Sequence, residues 1–383
     1  MLAAQTILFE KSYGAAAWDT LHTVEQTTDG GFIRSGVSND PAPIRSYFIK
    51  TNSKGDTIWT KEYPFGFNNS FGMAITQTID GGYIGMCSVG IYQTCSGVFL
   101  LKMDNKGDTT WSKLFSCYDF GEDLRKTSDG GYIITGTKTT AIGVCAFLLK
   151  LDSLGNKQWE KVYGGQRETT GYGVSVNADG SFTIVGRNQL TPSYYGVYIT
   201  KVKPNGDSIW TQNLPDQGMS YGLNILQTID SGYIIVGRTD NKGNKGGYLI
   251  KTDQDGHVKW EKTYGITKYD YFSWVLQTND GGYIIAAVAY NSGNDVGPSH
   301  GGSEYWIIKI NASGAIQWQK CYGGTKGDTP HSIKLTIDGE YILAGESSSH
   351  NGDVVGNNSW GTLRDYWVLK IDSLGTIQWQ KCL

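Results

Sequence analysis

Short runs of apolar and aromatic residues alternate along the whole chain with clusters of Gly, Asn, Asp and Ser. The stretch from Tyr269 to Lys320 shows the unit. YFSWVLQT leads into Asn279-Asp280-Gly281-Gly282, and YIIAAVAY follows, then a Gly/Asn/Ser loop. EYWIIKI, the turn Asn311-Ala312-Ser313-Gly314 and AIQWQKCY complete it. β-branched and aromatic runs bounded by turn formers predict four short strands joined as a meander. No segment shows a convincing 3.6-residue apolar period, and 52 glycines in 383 residues argue against long helices.

This unit recurs. Asp-Gly-Gly-Tyr or a close variant begins at Asp29, Asp80, Asp129, Asp179, Asp230, Asp280 and Asp338, with gaps of 51, 49, 50, 51, 50 and 58 residues. A second motif keeps step with it: Lys50/Trp59, Lys102/Trp111, Lys150/Trp159, Lys201/Trp210, Lys251/Trp260, Lys309/Trp318 and Lys370/Trp379. Two motifs in fixed phase at this period mark a repeat architecture. A lone four-stranded sheet of this size cannot cover both its faces, whereas radial stacking buries them against one another. The expectation is therefore all-β: a seven-bladed β-propeller of four-stranded antiparallel blades, with the repeated aromatics as packing between blades. One domain spans 1–383, with repeats near 15–63, 64–115, 116–163, 164–214, 215–264, 265–322 and 323–383. An extra strand at 5–14 is expected to take part in ring closure, because ILFEKSYG (Ile7 to Gly14) matches IQWQKCYGG with Phe9 in the Trp position. Whether that strand or the one carrying Trp379 completes the last blade is open at this point.

Composition narrows the function. A net charge of −3 leaves no basic footprint for nucleic acid, and no run of 18 apolar residues offers a membrane span. Met1-Leu2-Ala3-Ala4-Gln5 resembles the tail of a trimmed secretory signal, and 18% charged residues with abundant Tyr, Trp, Asn, Gly and Thr suits an extracellular or cell-surface β-protein. A monomer is expected. Six cysteines fit that compartment; Cys87–Cys95 is a possible staple within one blade and Cys321–Cys382 a weaker pairing. No Cys-x-x-Cys spacing suggests zinc.

The pattern D…T-x-DGGYI-x-x-G, a loop, then W-x-x-K-x-D-x-x-G-x-x-x-W-x-K-x-Y-G-G resembles a bacterial β-propeller repeat family of secreted and surface proteins, notably of Bacteroidetes, over essentially the whole chain. The resemblance implies a propeller and an extracellular place, and little about ligand. The Asp-x-x-Gly-x-x-x-Trp turn is also similar to the tryptophan-docking turns of quinoprotein dehydrogenases, but the adjacent cysteine pair of their cofactor site is missing. It is similar too to the sialidase Asp-box, with one residue more between Asp and Gly; Arg34, Arg45, Arg125 and Arg167 form no sialidase-like arginine set.

In such a ring, ligands bind near the axis, so positions that differ between repeats carry the information. Ten residues before each motif Asp stand Asp19, Ser70, Asp119, Thr169, Ser220, Asp270 and Asp328, which read as caps at strand starts. Seven before stand His22, Met73, Glu122, Tyr172, Leu223, Ser273 and His331. Six before stand Thr23, Ala74, Asp123, Gly173, Asn224, Trp274 and Ser332; four before, Glu25, Thr76, Arg125, Ser175, Leu226, Leu276 and Lys334. Glu25, Glu122, Asp123, Trp274 and Lys334 are candidate ligand contacts, with Tyr290 and Trp360 as sugar-stacking platforms in the long loops. Those loops also hold Asp295 and Asp353 in similar Asp-Val contexts, a candidate calcium set; no other cofactor is expected. A non-catalytic binding or adhesion module is the leading reading, with a glycan preferred to a protein partner. The alternative is a polysaccharide lyase, or a glycoside hydrolase, at the axis. His22, His331, Tyr172 and Arg125 would abstract a proton from a uronic acid and neutralise its carboxylate. Glu122 and Asp123 are not expected to serve hydrolysis together, since adjacent strand residues face opposite sides. A structural role in a larger surface assembly is the third possibility.

Overall fold

The computed structural model describes residues 19–382 apart from 39–43, 64–68, 92–94, 118, 166, 215–217, 241–245, 266, 268, 291–295 and 358–362. The described strands form seven four-stranded antiparallel sheets, each made of four consecutive strands. In the first, Thr20–Gln26, Phe32–Ser38, Arg45–Thr51 and Thr57–Tyr63 run from the axis outwards. The seventh is built from Asp328–Leu335, Tyr341–Ser347, Asp365–Ile371 and Ile377–Cys382. Its fourth strand is thus the one carrying Trp379, and the expected strand at 5–14 lies outside the described residues. Among the described residues no helix is long and apolar enough to cross a membrane.

The two repeated motifs meet in every blade. Asp80 takes an ion pair from Lys102 at 2.8 Å and caps the Gly82 N–H at 3.1 Å. The Lys102 ammonium, and after it the Thr78 hydroxyl, hold the Asp80 carboxyl down at about 2. The same Lys–Asp pair closes at 2.6–3.0 Å in the other six blades. Between Asp and the capped N–H, the turn needs a left-handed residue. Gly supplies it six times at φ 77–81°, but in the fifth blade Ser231 occupies it at φ 64°.

The motif aromatic at the start of each second strand is core, at most 5% exposed in all seven blades. Burying one such ring stabilises by roughly 1.5–3 kcal/mol. The repeated Trp residues also pack between blades, as expected, but they are only half-buried: six of them lie on the bare glycine of the next blade's outer turn. Trp111 covers Gly155, and across the seam Trp379 covers Gly55, where a Cβ would stand within 3.1 Å of the ring.

Ring closure repeats the ordinary contact between blades. Gln77 accepts the Thr28 N–H at 2.8 Å, and Gln26 accepts Ile337 N–H across the seam at 2.7 Å. Tyr305 donates to Trp367 O at 3.0 Å, and Tyr366 across the seam to Val37 O at 2.7 Å. Neither expected pairing, Cys87–Cys95 or Cys321–Cys382, is present: Cys87, Cys321 and Cys382 are not disulfide-bonded. Cys87 sits in the core, where burial pushes its thiol up to about 12.

Candidate functional site

Each inner strand carries one β-bulge at the same place. In the third blade Thr135 pairs with Asp123 and Gly136 with Gly121, so Glu122 is skipped. The skipped residues elsewhere are His22, Met73, Tyr172, Leu223, Ser273 and His331. A bulge sets two successive side chains towards one side. Glu122 and Asp123 therefore both line the axial channel, correcting the expectation drawn from regular strand alternation. A glycine precedes the bulge in four blades, at Gly72, Gly121, Gly171 and Gly222, where a Cβ would approach the preceding blade within 2.4–2.9 Å. That glycine beside a variable residue was the available signal for the bulge.

The upper part of the channel is a cavity of about 270 Å³ lined by His22, Met73, Glu122, Tyr172 and His331, with Thr23, Asn224 and others below them. His22 and His331 meet edge to face with ring centres 5.7 Å apart across the seam between the first and last blades. The His22 Nδ1 lies 3.1 Å from the Gly72 carbonyl, and the buried Nε2 of His331 has no hydrogen-bond partner among the described residues. Burial, then the neighbouring His331, brings His22 down to about 4; burial, then Arg364, does the same to His331. Burial, reinforced by Asp123, pushes Glu122 up to about 8, and burial raises the Tyr172 phenol. These side chains keep some accessible surface, yet protein surrounds them on the channel walls, so desolvation dominates. At neutral pH these four groups are mainly uncharged.

Trp274, from the sixth blade, crosses towards the third. Its ring centre lies 4.7 Å from the Arg125 guanidinium and 4.4 Å from the Lys334 ammonium. Trp274, Asp123 and Thr23 line both the upper cavity and a lower one of about 150 Å³, which also holds Glu25, Thr76, Arg125, Lys126 and Lys334. Arg125 pairs with Asp123 at 3.0 Å, and Lys126 with Glu25 at 3.3 Å. His22, His331 and Tyr172 are thus brought together, while Arg125 lines the lower cavity beneath Trp274.

The remaining candidates are elsewhere. Tyr290 is 40% exposed on the loop face against Tyr269, and its N–H donates to Asp270 at 2.8 Å. Asp353 accepts the Gly323 N–H at 3.3 Å, tying a long loop to the connection between blades. Asp295 and Trp360 lie outside the described residues, and among the described residues no three His, Cys, Asp or Glu side chains are grouped as a metal ion needs. Asp270 and Asp328 are buried caps: Asp328 accepts Gly324 N–H at 2.8 Å and the Ser349 hydroxyl at 2.9 Å. One cluster escaped the sequence reading. On the loop face Arg187 stacks over Tyr195 at 4.8 Å and Tyr221 at 5.1 Å, with Arg238 over Tyr221 at 5.1 Å.

No family model matches the chain, and no curated protein matches it in sequence. Solved structures do match in fold. One is puromycin hydrolase, 12% identical with a TM-score of 0.60 over 95% of this chain and 53% of that one. Another is the β-propeller domain of the Trilobed protease from Pyrococcus furiosus, with its open velcro topology, at 10% identity and TM-score 0.54 over 96% of each chain. A third is YCF48 bound to D1 peptide, at 9% identity and TM-score 0.50 over 86% of this chain and 89% of that one. The chain is a seven-bladed β-propeller. Identities this low speak for fold alone.

Proposed function

We propose that this propeller is a non-catalytic binding module, secreted or displayed at a cell surface, whose upper axial cavity holds a glycan. One observation carries the reading: the bulge ring presents His22, Glu122, Tyr172 and His331 as polar groups kept uncharged by burial. Uncharged donors and acceptors in a partly dehydrated wall suit sugar hydroxyls, which exchange hydrogen bonds without costing a buried charge. Met73 and Leu223 supply the apolar contact in the same wall.

The lyase arrangement is less well served, because its carboxylate-neutralising Arg125 lies below Trp274 and is paired with Asp123. A protein partner is the second reading, favoured by the Arg187–Tyr195–Tyr221–Arg238 cluster, whose composition is that of interface hot spots. YCF48, a propeller in a peptide complex, offers a parallel of fold. Calcium binding through the long loops stays with the glycan reading as a secondary proposal. A glycan array, run with and without chelator, tests these together. Hits without an unsaturated-uronate absorbance support the binding module, turnover supports a lyase, and silence across the array removes the glycan reading.

A further inference from the structure

Below Trp274 the channel wall becomes charged. Five charged side chains line or border the lower cavity: Arg125, Lys126 and Lys334 against Glu25 and Asp123. Both carboxylates are already engaged. Glu25 accepts the Thr76 hydroxyl at 2.7 Å, the Gln77 N–H at 3.3 Å and Lys126 at 3.3 Å. Asp123 accepts Arg125 Nε at 3.0 Å and the Val174 N–H at 3.1 Å. Lys334 makes no hydrogen bond or ion pair among the described residues, and Arg125 spends only its Nε on Asp123. The Lys334 ammonium and the Arg125 guanidinium are held over one indole, from different blades.

Two like charges brought together on one ring repel, and the ring's quadrupole only partly offsets this. The arrangement is completed by an anion. The terminal nitrogens of Arg125 form a planar donor pair that matches a carboxylate, and Lys334 adds a third donor as a point charge. The lower cavity lies towards the Asp-Gly-Gly turns and adjoins the upper one, with which it shares Thr23, Asp123 and Trp274.

We propose that the lower chamber is a carboxylate site, formed by Arg125 and Lys334 over Trp274, that receives the uronate group of an acidic glycan. The sugar class rests on the glycan reading above. The carboxylate assignment rests on the lower chamber alone. Proton linkage gives the site a signature. Burial, and then Arg125, brings Lys334 down to about 7, against the opposing pull of Glu25 and Asp123. An arriving carboxylate favours the ammonium, so binding near pH 7 takes up roughly half a proton, by the linkage of protonation to ligand affinity.

The test is calorimetric titration with D-glucuronate, its neutral twin D-glucose, and N-acetylglutamate as a carboxylate without a sugar. Each is measured at pH 7 in two buffers of different ionisation enthalpy. Glucuronate should bind at least tenfold more tightly than glucose, with proton uptake, and more tightly than N-acetylglutamate. Lys334→Met, which removes an unpaired charge and should fold, is expected to abolish both the preference and the proton uptake. His331→Ala, in the upper chamber, should weaken both sugars while keeping the preference. A preference that survives Lys334→Met and Arg125→Lys alike would overturn the site, as would equal binding of glucose and glucuronate, which would leave the glycan reading standing. Lys334-dependent binding of N-acetylglutamate as tight as that of glucuronate would overturn the uronate assignment. If neither sugar binds at all, the glycan reading falls together with the uronate proposal.

Discussion

Replacing Glu122 by Gln should stabilise the protein in alkali and leave it unchanged in acid. Burial and the neighbouring Asp123 push this carboxyl up to about 8. A raised carboxyl pKa means that the folded state holds its proton more tightly than the unfolded chain does. No cost therefore arises below the unfolded pKa; the cost grows as pH rises and is complete above the folded pKa. From an ordinary value near 4.3 the shift spans roughly 3.7 pH units, an upper limit of about 5 kcal/mol at 1.36 kcal/mol per unit. Water admitted to the half-buried channel keeps the realised effect below that limit. Gln keeps the shape and the hydrogen bonding without the charge. Urea denaturation of wild type and Glu122→Gln at pH 3.5, 7 and 9 should give matching stabilities at pH 3.5 and a growing advantage for Gln by pH 9. An advantage that is constant across pH, or absent at pH 9, would refute the desolvated channel from which it is worked.

Three further outcomes are expected. His22 and His331 have pKa values lowered to about 4, so the folded state prefers them neutral; stability should fall as pH drops from about 6.5 to 4, and a double replacement by Asn should flatten that limb in a pH series of melting curves. Ser231→Gly should raise stability by about 0.5–1 kcal/mol, because Ser holds a left-handed φ of 64° there, and a melting temperature that falls would contradict this. Lys102→Met should cost about 0.5–1 kcal/mol, since its Asp80 partner is largely exposed, and the Asp80 carboxyl should rise from about 2 towards its ordinary range in a carbon-detected NMR titration.

The fold was legible because every repeat reports it independently: the Asp-Gly-Gly turn, the buried aromatic and the Lys/Trp pair each recur in phase. Their partnership was harder to read. The pairing of Lys102 with Asp80 follows from two strands meeting at one end of a blade, although the two residues stand 22 apart in the chain. The channel columns could be aligned from constant spacing alone, and the upper and lower cavities are lined largely by those columns. Alternation then misled at one point. It assigns Glu122 and Asp123 to opposite sides, and a bulge, visible only as a local loss of register, turns both inwards. Trp274 as a cross-channel plug had no local signal, because its partners Arg125 and Lys334 belong to other blades. The Arg187–Tyr221 cluster was missed for the same reason: its members are unremarkable singly, and the ring brings them together.

The most direct test of the account is a crystal structure of the protein with its best array glycan. The account predicts sugar density in the upper cavity, with hydroxyls on Glu122, Tyr172 and the His22–His331 pair. Density confined to the loop face around Arg187 and Tyr221, with the channel holding only water, would contradict it.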